Sequence, residues 1–341
     1  MKRKGLFLRL VRSAGLFALA LLLVAPAARA EVIKIGAILA ETGPAAFLGG
    51  PASRSLRMLA DEINAAGGIK GHTIELIIKD SAGSPEKAIS FAKQLIEEDR
   101  VFAIIGPSTS GESLSIKKVC EDGRTIMISC SAADLIVTPV SPHIFKTAPI
   151  DNSAAREIYT LMQKRGISRI AVLAANDGFG KAGKEQLARN AADFGITIVA
   201  EDVYDKSATD LTASVAKLKA NPEIQAVVNW SIVPAQAILA KNIRQAGWDV
   251  PLFQRHGFAN IKYAEAAGVA AEGIIFPASR MLVADALPPG PQRDFLVKYR
   301  DSYESKFKEK VSTFGGHTYD ALTILARAIE QAGTDREKVR D

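Results

Sequence analysis

From Val32 onward, short apolar runs rich in Val, Ile and Ala alternate with longer stretches of helical periodicity. Strands this apolar are buried on both faces, so the pattern predicts repeated β-α units on mainly parallel sheets, an α/β fold. A first set of strands is predicted at residues 32–40, 73–79, 101–105 and 125–128, with helices starting near Ala52, Ser84 and Gly111. Gly67 and Gly68 follow a helical run ending in Asn64-Ala65-Ala66, and Ser84-Pro85 reads as an N-cap with proline at the first helical position. Residues 144–150 break the rhythm and predict a crossing into a second set. Its strands are expected at 170–174, 196–203, 224–229 and 251–254, with helices starting near Asn152, Phe179, Asp210 and Pro234. Residues 274–276 predict a return crossing, and a Pro-rich loop at 288–291 then leads to helices at 292–310 and 315–332.

A formal charge of +6 would point to nucleic acid if it were spread over the fold. It is concentrated instead at Lys2, Arg3, Lys4, Arg9, Arg12 and Arg29, which leaves 37 basic against 37 acidic residues from Glu31 onward. The nucleic-acid reading loses its support. Residues 1–30 have the parts of a secretory signal: the basic start, an apolar run from Ala14 to Val24, and Ala28 and Ala30 around Arg29. Cleavage after Ala30 is expected, with no Cys there to carry an acyl anchor. Cys120 and Cys130 cannot form a disulfide scaffold and are expected as two buried thiols.

Two motifs suggest catalysis. Gly178-Phe179-Gly180-Lys181-Ala182-Gly183, with Glu201 and Asp202 about twenty residues on, fits a dinucleotide fingerprint and would make the chain a nucleotide-dependent oxidoreductase. Asp177 directly before it would repel a pyrophosphate, and Glu185 stands where a phosphate loop needs Ser or Thr. Gly106-Pro107-Ser108-Thr109-Ser110-Gly111 approximates a nucleophile elbow, but no pattern ties any His to Ser108. Small hydroxylated residues opening a helix suit the binding of a carboxylate or phosphate better, because free N–H groups and hydroxyl donors converge there. Cys and His show no metal-ligand spacing, and no cofactor is expected.

The segments Asn64-Ala65-Ala66-Gly67-Gly68-Ile69-Lys70-Gly71, Ile104-Ile105-Gly106-Pro107-Ser108-Thr109-Ser110, Ile126-Met127-Ile128-Ser129 and Ala270-Ala271-Glu272-Gly273 resemble, in order, the branched-chain amino-acid-binding family of periplasmic solute receptors. The resemblance implies a type I periplasmic binding protein: two doubly wound α/β lobes joined by a strand hinge. They would close on a ligand and deliver it to an ABC-transporter permease in the inner membrane. The receptor would be non-catalytic, periplasmic and, as is usual in the family, monomeric. The lobes would span residues 31–148 with 277–335, and 149–276. Family members usually continue past the helix at residues 319–331, so the second lobe is expected to lack its last strands.

Carried over by residue, the resemblance puts Ser110 on the ligand carboxylate, with Ser108 and Thr109 beside it, and gives Ser131 backbone contacts. Phe179 would line the cleft from the second lobe, Phe47 and Leu48 would supply an apolar contact from the loop after the first strand, and Trp230 an aromatic wall. Two positions depart from amino-acid binders: Ala133 stands where they carry a threonine, and His256, beside Arg255, where they carry the acid that holds the α-ammonium. A buried ammonium without a carboxylate is costly. The expected ligand is therefore a small organic acid without an amino group, aromatic acids included, with His256 or Arg255 on its distal polar end; an aliphatic amino acid is the next choice.

Overall fold

The computed structural model describes residues 31–341; the segment read as a signal peptide lies outside the described residues. In the first sheet, β1 (Ile33–Leu39), β2 (Ile74–Asp80), β3 (Ala103–Ile105), β4 (Ile126–Ser129) and β5 (Ile144–Lys146) pair in the order β2-β1-β3-β4-β5, all parallel. Helices α1 (Ala46–Ala65), α2 (Pro85–Glu97) and α3 (Ser110–Asp122) connect the first four strands. The second sheet holds β6 (Arg169–Ala175), β7 (Thr197–Tyr204), β8 (Ala226–Trp230) and β9 (Leu252–Gln254) in the order β7-β6-β8-β9, again parallel. Around it lie α4 (Asp151–Lys164), α5 (Gly178–Ala191), α6 (Thr212–Lys219), α7 (Ala235–Gln245) and α8 (Ile261–Ala267). The chain ends in α9 (Pro291–Phe307), α10 (Thr313–Ala332) and α11 (Arg336–Arg340).

Successive strand residues point to opposite faces, and both faces of the first sheet are covered. Ile35, Ala37, Leu39, Ile105 and Ile128 pack with Leu56 of α1 and Leu322, Leu325 and Ile329 of α10. Ile38, Ile104 and Met127 pack on the other face with Ala92 and Leu95 of α2 and Ile116 and Cys120 of α3. Both cysteines are buried and unbridged, and burial pushes each thiol up to about 12.

Three expectations need correction. Residues 144–146 are a fifth strand, Met127 opposite Ile144, so the crossing is confined to the residues after it. On the return, only Ile275 bridges, to Phe253. Helix α1 begins at Ala46, ahead of Pro51, so Phe47 and Leu48 lie in its first turn rather than in a loop. Proline cannot donate to the Phe47 carbonyl, and Asn260 Nδ2, from the N-cap of α8, donates to it at 2.8 Å. Among the described residues no helix is long and apolar enough to cross a membrane.

Candidate functional site

Each sheet has one point where its strand order reverses, between β1 and β3 in the first and between β6 and β8 in the second. Open α/β sheets bind ligands beyond the carboxyl ends of strands at such points. Here the two points face each other. From the first come Leu48, after β1, and Ser108 and Ser110, after β3, with Ser131 following β4; from the second come Phe179, after β6, and Ile232, after β8, with His256 following β9. Phe314 and His317 of α10, with Cys130, Ala132 and Ala148, complete the wall.

The hydroxyls on the first side are oriented by the backbone. Ser108 Oγ accepts from the Ala40 N–H at 3.1 Å, and Ser110 Oγ accepts from the Ala133 N–H at 3.2 Å. With an oxygen lone pair taken in each case, both O–H groups remain as donors toward the cavity. Thr109 is differently employed. It caps α3, its hydroxyl donating to Glu112 Oε2 at 2.6 Å while Glu112 also accepts from the Thr109 N–H at 3.1 Å. Ser131 Oγ sits in a closed ring with Ser113 Oγ (2.8 Å) and Ser129 Oγ (2.9 Å), so its proton is used within the ring.

On the second side the glycines of residues 178–183 have packing roles. A Cβ on Gly180 would lie 2.0 Å from the Ala175 carbonyl oxygen, and one on Gly183 would lie 1.9 Å from Trp230 Nε1. One on Gly178 would lie 2.8 Å from Gly111 Cα, where α5 and α3 meet across the cleft. Asp177 caps α5, its carboxylate accepting from the Gly180 N–H at 2.7 Å. The Gly180 amide, one that a pyrophosphate would need, is thus already engaged by a carboxylate.

Behind Phe179 lies a buried ion pair. Arg255 and Asp151 are both 0% exposed and hydrogen-bonded to each other. The guanidinium lies 5.0 Å from the ring centroid of Phe179 and 5.1 Å from that of Trp230. Lys146, at the end of β5, donates to the Ala132 carbonyl at 2.6 Å, and burial lowers its ammonium to about 8. His317 is lowered to about 4, first by burial and then by Lys146 and Arg255. Lys146 and Arg255 thus add to burial in disfavouring the charged form of His317, one of the two imidazoles that line the cavity. No carboxylate lines this cavity among the described residues.

With the lobes in contact, the free space among these residues is about 10 Å³, the room of one water. A second cavity of about 150 Å³ adjoins it at His256 and His317. A surface depression of about 780 Å³ lies apart, between α8 and α9, and includes neither the serines nor the imidazoles. No group of three or more potential metal ligands occurs among the described residues.

The family model described as "Periplasmic binding protein" matches residues 32–341. The chain belongs to the branched-chain amino-acid-binding family of periplasmic binding proteins. It is 28% identical over 92% of its length, and 82% of the relative's, to the leucine-, isoleucine-, valine-, threonine- and alanine-binding protein of Pseudomonas aeruginosa. Among solved structures, an extracellular ligand-binding receptor from Rhodopseudomonas palustris HaA2 superposes with a TM-score of 0.84 at 26% identity, covering 91% of this chain and 88% of that one. A solute-binding protein of an ABC transporter from Rhodopseudomonas palustris BisB5, in complex with 3,4-dihydroxybenzoic acid, superposes with a TM-score of 0.79 at 20% identity, covering 90% and 84%; at that identity the likeness concerns the fold. The type I two-lobe architecture expected from the sequence is the one found. The protein is a solute-binding receptor of the branched-chain-amino-acid type of ABC transporter, and its relatives are binding proteins rather than enzymes. The oxidoreductase alternative finds no support in these relatives.

In this receptor the cavity gathers Leu48, Ser108, Ser110, Ser131, Phe179 and His256. Five other candidates stand off it. Thr109 faces the outer groove between the lobes, and Ala133 reaches the site only through its N–H to Ser110. Phe47 packs edge-on against Tyr263 at 4.9 Å. Trp230 is fully buried behind Phe179, 6.2 Å between ring centroids, and Arg255 is behind both. Sequence reasoning missed Cys130, Ala132, Ala148, Ile232, Phe314 and His317 as lining residues. His317 carried a signal: it is a polar residue in register with Phe314, Ala321, Leu325 and other members of the buried face of α10.

Proposed function

We propose that this receptor takes a small carboxylate without an amino group, aromatic acids included, into the interlobe cleft. It closes residues 31–148 with 277–335 against residues 149–276 and presents the ligand to an inner-membrane ABC permease. It acts as a monomer in the periplasm, exported by the signal at residues 1–30, without catalysis. One observation carries the choice of ligand: Ser108 and Ser110 offer hydroxyl protons to a cavity that no carboxylate lines. Those donors suit an anion, whereas an α-ammonium would be buried there without a partner at a cost of several kcal/mol. Phe179, Ile232 and Phe314 supply the apolar wall, and closure removes the ligand from water.

A second reading, an aliphatic amino acid, is favoured by the binding preference in the name of the Pseudomonas aeruginosa relative. A thermal-shift screen of the mature protein separates the two, because a ligand that binds only the folded state raises the melting temperature. Stabilisation by benzoate or aliphatic acids, with leucine and valine silent, is expected. Stabilisation by the amino acids alone would reverse the assignment.

A further inference from the structure

Outside the cleft cavity the two lobes grip each other directly. Helix α1 follows β1 of the first sheet and α8 follows β9 of the second, and the N-cap and first turn of α8 hold the α1 side at three points. Asn260 Nδ2 donates to the Phe47 carbonyl at 2.8 Å, and the Tyr263 ring meets the Phe47 ring edge-on at 4.9 Å. Lys262 Nζ lies 3.7 Å from Glu309 Oε1, while Glu309 Oε2 accepts from Arg54 of α1 at 2.6 Å. The sequence prepares both halves. Pro51 leaves the Phe47 carbonyl without its helical N–H, so that oxygen takes its bond from the other lobe. Asn260 Oδ1 accepts from the Lys262 N–H at 3.0 Å as the cap of α8, which commits the amide and aims Nδ2 at α1. Tyr263 is 0% exposed, and its hydroxyl donates to the carbonyl of Ile232, a residue of the cavity wall.

We propose that Asn260 is a positioning residue for closure: with Tyr263 and Lys262 it clasps Phe47 and Glu309 as the lobes meet, and so sets affinity without touching the solute. The inference rests on the closure proposed above and not on which solute is taken. The clasp joins protein to protein, so it favours the closed form whatever the cleft holds, and affinity rises with the closed population. Asn260 carries most of the effect. The Lys262 and Glu309 side chains are 44% and 37% exposed, so their attraction is screened and small. The Asn260 amide is buried, and its bond to a carbonyl that α1 cannot satisfy is worth about fivefold in the ratio of closed to open molecules.

The test uses the mature protein spin-labelled at Lys87→Cys and Thr209→Cys, exposed positions beside Glu86 and Lys206 on the two sides of the outer groove. Cys120 and Cys130 are buried, with thiols pushed up to about 12, and stay unlabelled. Double electron-electron resonance then gives the ratio of short to long distances without solute, with leucine and with 4-methylpentanoate. Asn260→Asp keeps the helix cap but turns an oxygen toward the Phe47 carbonyl. The expected result is a closed-to-open ratio at least about fivefold lower than in the wild type, a similar loss of calorimetric affinity for whichever solute binds, and an unchanged melting temperature. Asn260→Ser caps as well but is too short to reach α1; it should shift the ratio the same way, and is read instead if Asn260→Asp melts lower. An unchanged ratio would mean that α8 and α1 stay joined as the lobes part, a pivot rather than a clasp, and overturns the proposal. A wild type without a short distance in any of the three conditions overturns it too. If leucine alone closes the lobes, the carboxylate reading falls and the clasp stands.

Discussion

Replacing Arg255 by Met asks whether its guanidinium is part of the frame behind the binding wall or part of the wall. Arg255 and Asp151 are each 0% exposed, and among the described residues Asp151 is the one side chain hydrogen-bonded to the guanidinium. Removing one member of a buried pair leaves an uncompensated charge, at a cost of about 3–5 kcal/mol. Methionine keeps much of the volume against Phe179 and Trp230, so most of the loss should be electrostatic. That gives the variant a pH signature. Burial already pushes the Asp151 carboxyl up, with Arg255 and Lys146 holding it down and Asp134 adding to the rise. Without Arg255 it rises further, so the native state binds a proton that the unfolded chain, with Asp near 3.9, has released. Relative to the wild type, the deficit of Arg255→Met should therefore be smallest at low pH and grow as pH rises through the raised native value. Urea unfolding at pH 5 and pH 8 would show this, and a cycle with Asp151→Asn should give a double variant about 2 kcal/mol or more better than the sum of the singles. Additive singles of under about 1 kcal/mol each, together with lost ligand affinity at unchanged stability, would refute the pairing argument and return Arg255 to the ligand.

Three further outcomes follow from the same geometry. In Gly180→Ala the new methyl meets a backbone oxygen at 2.0 Å, so unfolding free energy should drop by at least about 1–3 kcal/mol, read by urea denaturation. His317 is held neutral with a native value of about 4 against an ordinary 6.5; the unfolded chain takes up its proton first, so stability should decline by about 3 kcal/mol as pH falls between those values, and His317→Gln should flatten that part of the profile. Lys146 loses its proton at about 8, so carboxylate affinity by calorimetry should hold to that pH and weaken above it, a decline that Lys146→Gln should abolish.

The β-α alternation was legible because parallel strands buried on both faces are written as apolar runs, and the lobes followed from it. Strand β5 was not, since Ile144-Phe145-Lys146 is too short to show a period, and its place in the sheet is decided by its neighbour β4. The start of α1 was hidden by Pro51, whose disruption is offset by Asn260, which donates to the Phe47 carbonyl from 213 positions away. In the site, Ser108, Ser110 and Phe179 could be read because they sit where strand gives way to helix. Arg255 and Trp230 share that strand-end position, but sequence does not show which side of the wall a side chain takes. The glycines of residues 178–183 formed a real pattern whose cause is contact with Ala175, Trp230 and Gly111 rather than with phosphate.

The most direct test of the central claim is calorimetric titration of the mature protein with leucine and with 4-methylpentanoate, which differ only in the α-ammonium. A cavity with two donor hydroxyls and no lining carboxylate should bind 4-methylpentanoate at least about tenfold more tightly, the equivalent of about 1.4 kcal/mol. Tighter binding of leucine would mean that the closed cleft finds a partner for the ammonium, and the carboxylate account would be wrong.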